Sequence, residues 1–490
     1  MSVQTNTPTG NKIDINVKAI IHSVIMLIFM FGFKFLPAPG AVTPFGMAVA
    51  GVFFGLIYGW SFLGILWPSL MGIFGLALTG YGSVEKVVID MFSNSTILMM
   101  MVGSLVFMAL MQSKVADWLM AKIVGSNLAK KSPMATVMII LLATVSICSF
   151  GGNMIFYFAI FPILVNTVLK CGYARGDKFN VFFLTGFMAC IQLGLCFRPF
   201  IGWGLMTVGT MMQLTKTGIS YGAYMIVMVI LDALFVVSYP FLMKICGCDF
   251  SKLANVDIAQ AFGVNKDEKL NLVQKIVLTA FLTFLIIVIL FSTVGAKLGA
   301  LYTFYAQISV LGMMIIFWIA MTVIKVDGKP MLNIAEASKM FTWDMLFLVA
   351  IALLISSVLT SADTGISGWL AKLIAPLFAG SGQIGFLIAL CVLTLLLTNV
   401  ANNIAVCFIM MNIVASMYLN GFQVNLLAAS MIISINAVIA FLTPASSMPG
   451  AMLHACEANT PASMYKYCPI ILIYFVVLML IVMIPTALLF

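Results

Sequence analysis

A chain of 490 residues that is 63% hydrophobic, 8% charged and +1.17 in mean hydropathy leaves essentially no room for a soluble domain. It reads as an all-α polytopic membrane protein. The net charge of +9 does not point to nucleic acid, because the basic residues sit in short loops between apolar runs, where they set orientation across a bilayer. The 10 Cys are scattered, mostly inside apolar runs, and the 2 His stand alone, so neither a metal-ligand spacing nor the nucleophile and base of an enzyme is suggested.

The polar N-terminus, to Val17, lacks the pattern of a cleaved signal peptide. Apolar runs at 17–36, 45–60 and 62–79 predict three spans, the last two joined by a tight turn. A short polar loop is expected at 80–93, and 95–111 crosses back. Residues 114–124 are amphipathic, carry Trp118 and Lys122, and read as a helix lying in the interface. The apolar run 134–169 is interrupted by Ser149-Phe150-Gly151-Gly152-Asn153. A basic loop at 170–178 leads into a span at 179–197 that breaks at Arg198-Pro199, and 221–243 crosses once more. The polar stretch 244–275 marks a boundary. The order then returns: spans at 276–294 and 302–323, a polar loop at 325–342, and a span at 345–359. A second interface helix at 366–378 follows, with Trp369 and Lys372. The apolar run 383–418 is interrupted by Thr398-Asn399-Val400-Ala401-Asn402-Asn403. A span at 424–442 breaks at 443–450, and 467–490 closes the chain. The expected division is a tail and first span (1–43), a first repeat (44–245), a cytoplasmic linker (246–275) and a second repeat (276–490).

The two interrupted runs organise the rest. Each is 36 residues long and carries no charged side chain. Two full spans need about 20 residues each plus a turn. Halved at the break, each arm has about 15 residues, or roughly 22 Å of helix, short of the ~30 Å hydrocarbon core. Each run therefore reads as a re-entrant hairpin (134–169 and 383–418) whose tip stops near the bilayer midplane; a kinked full span is the alternative. Irregular backbone at that depth must be buried by protein or line a watery cavity.

Asn153 and Asn403 stand 250 residues apart, as do Pro199 and Pro449, and Lys122 and Lys372, which argues for an internal duplication. Lys130, Lys131, Lys170, Arg175 and Lys178 flank the first hairpin, whereas 373–456 holds no Asp, Glu, Lys or Arg. The positive-inside rule then brings the first hairpin in from the cytoplasm and the second from outside. The N-terminus is expected in the cytoplasm and the C-terminus outside, in a plasma or inner membrane. Inverted repeats of about five spans each are the architecture of many secondary transporters with a midplane site.

A broken helix exposes two kinds of pole. Free N–H groups at the start of a half-helix suit an anion, and free carbonyls at the end of one suit Na⁺ or another hard cation. The expected substrate ligands are Gly152, Asn153, Arg198, Pro199, Asn402, Asn403, Ser446 and Ser447. The expected Na⁺ ligands are Ser149, Gly151, Asn153, Asn402 and Asn403, with Thr398. Arg198 is a permanent cation beside a break; alternatively it is a helix-end Arg reaching the interface. Asp232 lies inside an apolar span and can pair with Arg198, carry a proton or assist a cation; a structural partnership is favoured because it is not at a break.

At these residues the chain resembles the divalent anion/sodium symporter family of the ion transporter superfamily, over roughly residues 45–490. The family's hairpin tips read Ser-Asn-Thr. Here they read Gly152-Asn153-Met154 and Asn402-Asn403-Ile404, so the Asn is kept and the hydroxyls are lost. Thr398 matches a family Thr five residues before the second Asn; Cys148 stands at the corresponding place in the first hairpin. The family's Pro-Pro-Asn runs are replaced by Arg198-Pro199-Phe200 and Met448-Pro449-Gly450, with Pro444 matching a Pro just before the second. The resemblance implies an elevator-type importer of a di- or tricarboxylate or sulfate, coupled to Na⁺, needing no cofactor and working as a homodimer. A cation/proton antiporter or a proton-coupled anion exchanger is the alternative.

Overall fold

The computed structural model describes residues 17–126, 132–151, 153, 156–254, 269–339 and 342–490. Among these, 9 helices are long and apolar enough to cross a membrane, or up to 11 if each of two sharply bent pairs counts as one. The protein is an all-α, multi-pass membrane protein. The one pair of strands among the described residues is a two-residue hairpin, Lys325–Val326 with Lys329–Pro330.

The first half comprises α1 (Val17–Gly32), α2 (Pro44–Phe62), α3 (Leu66–Leu76), α4 (Val84–Phe92), α5 (Ser95–Ser113), α6 (Val115–Val124), α7 (Pro133–Phe150), α8 (Phe161–Lys170), α9 (Lys178–Cys196), α10 (Gly202–Thr215) and α11 (Tyr221–Ile245). The second comprises α12 (Leu272–Val294), α13 (Ala300–Val323), α14 (Ile334–Lys339), α15 (Trp343–Leu359), α16 (Ile366–Ile374), α17 (Gly382–Thr398), α18 (Asn403–Leu419), α19 (Leu426–Asn436), α20 (Met448–Ala455) and α21 (Pro461–Leu489). Local chemistry sets the starts. Ser132 Oγ accepts the amide of Ala135 at 3.1 Å ahead of a first-turn proline, which begins α7. Thr460 and Ser463 form a reciprocal capping box, so α21 begins at Pro461, earlier than the apolar run at 467.

Two expectations need correction. The loop expected at 80–93 contains α4, because Ser83 Oγ accepts the Lys86 amide at 3.1 Å; α4 is bent 113° from the preceding helix. The span expected to run unbroken over 424–442 stops at Asn436, and irregular backbone follows until α20. Side chains from elsewhere satisfy that backbone, so the helix need not continue.

The helices leading into the two breaks are the most enclosed. Every residue of α9 from Phe179 to Gly194 is buried, as is all of α19. A helix that is apolar all round must be surrounded by others; α9 is packed by α7, α11 and α21, and α19 by α10, α17 and α21. Close approach at the first break is permitted by Gly194, where a Cβ would fall 2.8 Å from the backbone of both Cys148 and Ser149.

Hydrogen bonds between loops define two ends of the bundle. At one end, Tyr173 Oη donates to the Asp249 carbonyl at 2.7 Å, the Gly176 amide to Ala458 at 2.8 Å, Arg175 Nε to Asn459 at 3.2 Å, and Gln274 Nε2 to Lys114 at 3.2 Å. At the other, Ser220 Oγ donates to the Ser292 carbonyl at 2.7 Å, Thr217 Oγ1 meets Tyr418 Oη at 3.1 Å, Asn420 Nδ2 donates to Ser367 Oγ at 3.0 Å, and the Thr43 amide to Thr364 at 2.9 Å. The 25 residues of α11 separate the two sets, about 37 Å of helix.

Candidate functional site

The two interrupted runs are each a pair of helices. In the first, α7 ends at Gly151, whose φ of 111° is left-handed and whose amide reaches the carbonyls of Ile147 and Cys148, both at 3.0 Å. Ser149 is buried and its hydroxyl donates back to Val145 at 2.8 Å. Gly152 lies outside the described residues. Asn153 is buried, and its Nδ2 donates to the Ile191 carbonyl of α9 at 3.1 Å. In the second run, Asn402 caps α18, its Oδ1 accepting the amides of Ile404 at 2.9 Å and Ala405 at 3.3 Å.

Around Thr398 three oxygens converge. Its hydroxyl is 2.6 Å from the Ala437 carbonyl and 2.9 Å from Asn403 Oδ1. A hydroxyl, an amide oxygen and a carbonyl freed from its helix are the oxygen donors a hard monovalent cation takes. Asn399 fixes the adjoining backbone. Its Oδ1 accepts the amides of Phe441 and Leu442, its Nδ2 donates to the Ile439 carbonyl at 3.0 Å, and its own carbonyl accepts Thr443 Oγ1 at 2.9 Å.

A hydrogen-bonded chain joins both runs to both breaks. From the first run, Tyr157 Oη donates to Gln192 Oε1 on α9. Gln192 Nε2 donates to the Val438 carbonyl at 2.8 Å. The neighbouring carbonyl, Ala437, takes Thr398 of the second run. Alongside it, Trp203 Nε1 donates to the Ser434 carbonyl at 2.8 Å and Tyr224 Oη to the Cys196 carbonyl at 2.9 Å. The buried Asn153 and Thr398 and the half-buried Asn403 are therefore tied into one polar core with the breaks.

Arg198 is 4% exposed, between the end of α9 and Pro199, which is also buried. This differs from an Arg reaching out to an interface. Asp232 is buried on α11; no salt bridge joins it to Arg198, and among the described residues its Oδ1 accepts no hydrogen bond. Of the roles open to Asp232, the pairing with Arg198 is thus not formed. Ser446 Oγ donates to Thr443 at 2.7 Å, while Ser447 Oγ donates to Ala440 and caps α20 by accepting the Gly450 amide at 3.0 Å. Both hydroxyls have their protons committed to the loop.

Sequence reasoning passed over Tyr157, Gln192, Asn399 and Trp203. For Gln192 and Asn399 a signal existed: an amide side chain inside or beside an apolar run, which needs buried partners. Compared with known proteins, the chain matches no family model and no curated relative.

Proposed function

We propose that this protein is a secondary active transporter that imports a small organic anion, a di- or tricarboxylate, or sulfate, coupled to Na⁺, by an elevator-like alternation of access. The observation that carries the reading is the buried hydrogen-bonded chain from Tyr157 through Gln192 and Val438–Ala437 to Thr398. It links two interrupted helices and two broken spans in one polar core, inside a protein otherwise built of apolar helices. Irregular backbone at membrane depth is tolerated only where protein or a watery cavity satisfies it, and a transport site is the use assigned to this core.

Inverted repeats are supported by spacing and by the two ends of the bundle. Helices α6 and α16 begin 251 residues apart, α7 and α17 249, and α9 and α19 248. The first run returns to the end marked by Tyr173 and Arg175, and the second to the end marked by Tyr418 and Asn420. On this reading both are re-entrant hairpins, and the basic end is cytoplasmic. The N-terminus is then cytoplasmic and the C-terminus outside. The likeness to divalent anion/sodium symporters supplies the substrate class and the homodimer.

In this scheme Thr398, Asn403 and the Ala437 carbonyl hold Na⁺, and Asn153 and Arg198 face the anion. Arg198 offers the charge that the lost tip hydroxyls do not. Asp232, a buried carboxylate on the helix beside α9, favours a second reading in which a proton is the coupling ion. Thermal unfolding of the purified protein against a panel of carboxylates and sulfate, with and without Na⁺, tests the first reading. One anion should raise the midpoint, and more so with Na⁺ present, because a ligand stabilises the state that it binds. Stabilisation indifferent to Na⁺ but dependent on pH would favour the second.

A further inference from the structure

The start of α5 packs beside the end of α10, at the end of the bundle marked by Thr217 and Ser220. A cavity of about 350 Å³ lies there, and its lining includes Asn94, Ser95, Thr96, Gln213, Lys216 and Tyr221. Among the described residues no acidic side chain lines it. Asn94 caps α5, its Oδ1 accepting the Thr96 amide at 2.8 Å, and its Nδ2 donates to Gln213 Oε1. Both amide oxygens of the lining are thus engaged. The groups left over are donors. Among the described residues Lys216 is in no salt bridge, and Gln213 Nε2 and the hydroxyls of Ser95 and Thr96 have no hydrogen-bond partner.

Thr96 decides that this is more than a helix end. It is only 5% exposed, yet its hydroxyl keeps surface open to the cavity and meets no protein group. Enclosed hydroxyls are ordinarily partnered, so this one awaits a ligand. Charge fixes the sign of that ligand. The positive pole of α5 and the negative pole of α10, each about half a charge, lie side by side and offset one another, which leaves the full charge of Lys216. A donor-rich, singly positive cavity suits a small oxyanion. It is on the outer side of the first break on the reading given above. The 14 residues of α10, about 21 Å of helix, lead from that break to Lys216.

We propose that this cavity is a second anion site, which holds a carboxylate, sulfate or phosphate group on Lys216, Gln213, Ser95 and Thr96 and captures the transported anion before it reaches the break. The capture rests on the transport reading; the binding does not. An anionic lipid headgroup carries the same chemistry, and the test separates the two sources.

The full chain in phosphatidylcholine nanodiscs is reductively methylated with formaldehyde and dimethylamine–borane, both uncharged, and each lysine is followed by mass spectrometry. Sulfate and succinate are the probes, as tetramethylammonium salts against the chloride at equal ionic strength, so that no Na⁺ loads the midplane site. At about ten times its half-saturating concentration one anion should slow Lys216 about tenfold, since roughly one site in ten stays free. Lys297, exposed at the same end and outside the cavity, should keep its rate. Thr96→Val should raise the half-protecting concentration at least fivefold. Gln213→Glu, which keeps the acceptor for Asn94 and adds a negative charge, should abolish protection, and it serves if the valine variant does not fold. No protection of Lys216, equal protection of Lys297, or unchanged protection in both variants would overturn the site. Protection by phosphatidylglycerol in the nanodisc without added anion would assign the site to a headgroup and overturn the capture. In proteoliposomes, Lys216→Gln should raise the anion concentration for half-maximal uptake at least threefold. An unchanged value would overturn the capture while leaving the site, and absence of uptake by the unaltered protein would count against the transport reading instead.

Discussion

Asn399 holds the backbone at Phe441: its Oδ1 accepts the Phe441 amide at 2.9 Å and the Leu442 amide at 2.8 Å. One side chain thus occupies two donors that a continuous helix would have occupied itself. Asn399→Ala leaves both amides and the Ile439 carbonyl buried without this partner. At about 1–3 kcal/mol for each of the three groups, the variant should lose roughly 3–9 kcal/mol. Chemical denaturation of the purified protein measures it, and an unchanged midpoint would mean that the second break is held by other contacts.

Thr398 and Asn403 meet at 2.9 Å, and their predicted role concerns the cation. Asn403→Ala should cripple uptake while leaving expression intact, since the residue is at a tip and not in a packed core. Thr398→Val keeps the shape and removes the hydroxyl; it should raise the Na⁺ concentration needed for half-maximal uptake by tenfold or more, equivalent to ~1.4 kcal/mol. Normal Na⁺ dependence in both variants would remove these residues from the site.

Gly194 lies against the backbone of Cys148 and Ser149. Gly194→Ala should force the tip of the first hairpin off α9, at a cost of roughly 1–3 kcal/mol, and reduce uptake. Gly380, with open space around it, supplies the control: Gly380→Ala should change neither. Equal behaviour of the two variants would contradict the close packing of the first hairpin.

Arg198 is expected to supply charge to the anion. Arg198→Gln should weaken anion-induced thermal stabilisation at least tenfold in concentration, and Arg198→Lys should restore part of it, because the lysine keeps the charge and loses the planar fork. Unaltered stabilisation by the anion in Arg198→Gln would assign this residue to structure alone.

Much of this architecture was legible in the sequence, and particular residues mark where legibility stopped. The arms on either side of 151–153 and 399–402 were readable from length and polarity, because the bilayer imposes a fixed length on apolar helices. The short helices around Trp118 and Trp369 were readable from amphipathic pattern. The end of α19 at Asn436 was not, since Ala437–Leu442 is as apolar as the helix before it and unwinds only because Asn399, Thr398 and Gln192 serve its backbone from distant positions. The helix at Val84–Phe92 was missed because its charged residues suggested a loop, whereas Ser83 caps it. Asn403 was singled out from the tip and Thr398 by the family resemblance, but Gln192, 246 residues from its partner Val438, had no local mark beyond its polarity.

Uptake of labelled carboxylates and sulfate into proteoliposomes under an imposed Na⁺ gradient tests the central claim most directly. The account predicts that one of these anions accumulates when Na⁺ is higher outside, and that accumulation vanishes when Na⁺ is equal on both sides. Failure of every tested anion to respond to any cation gradient, from protein that is folded and correctly inserted, would contradict it.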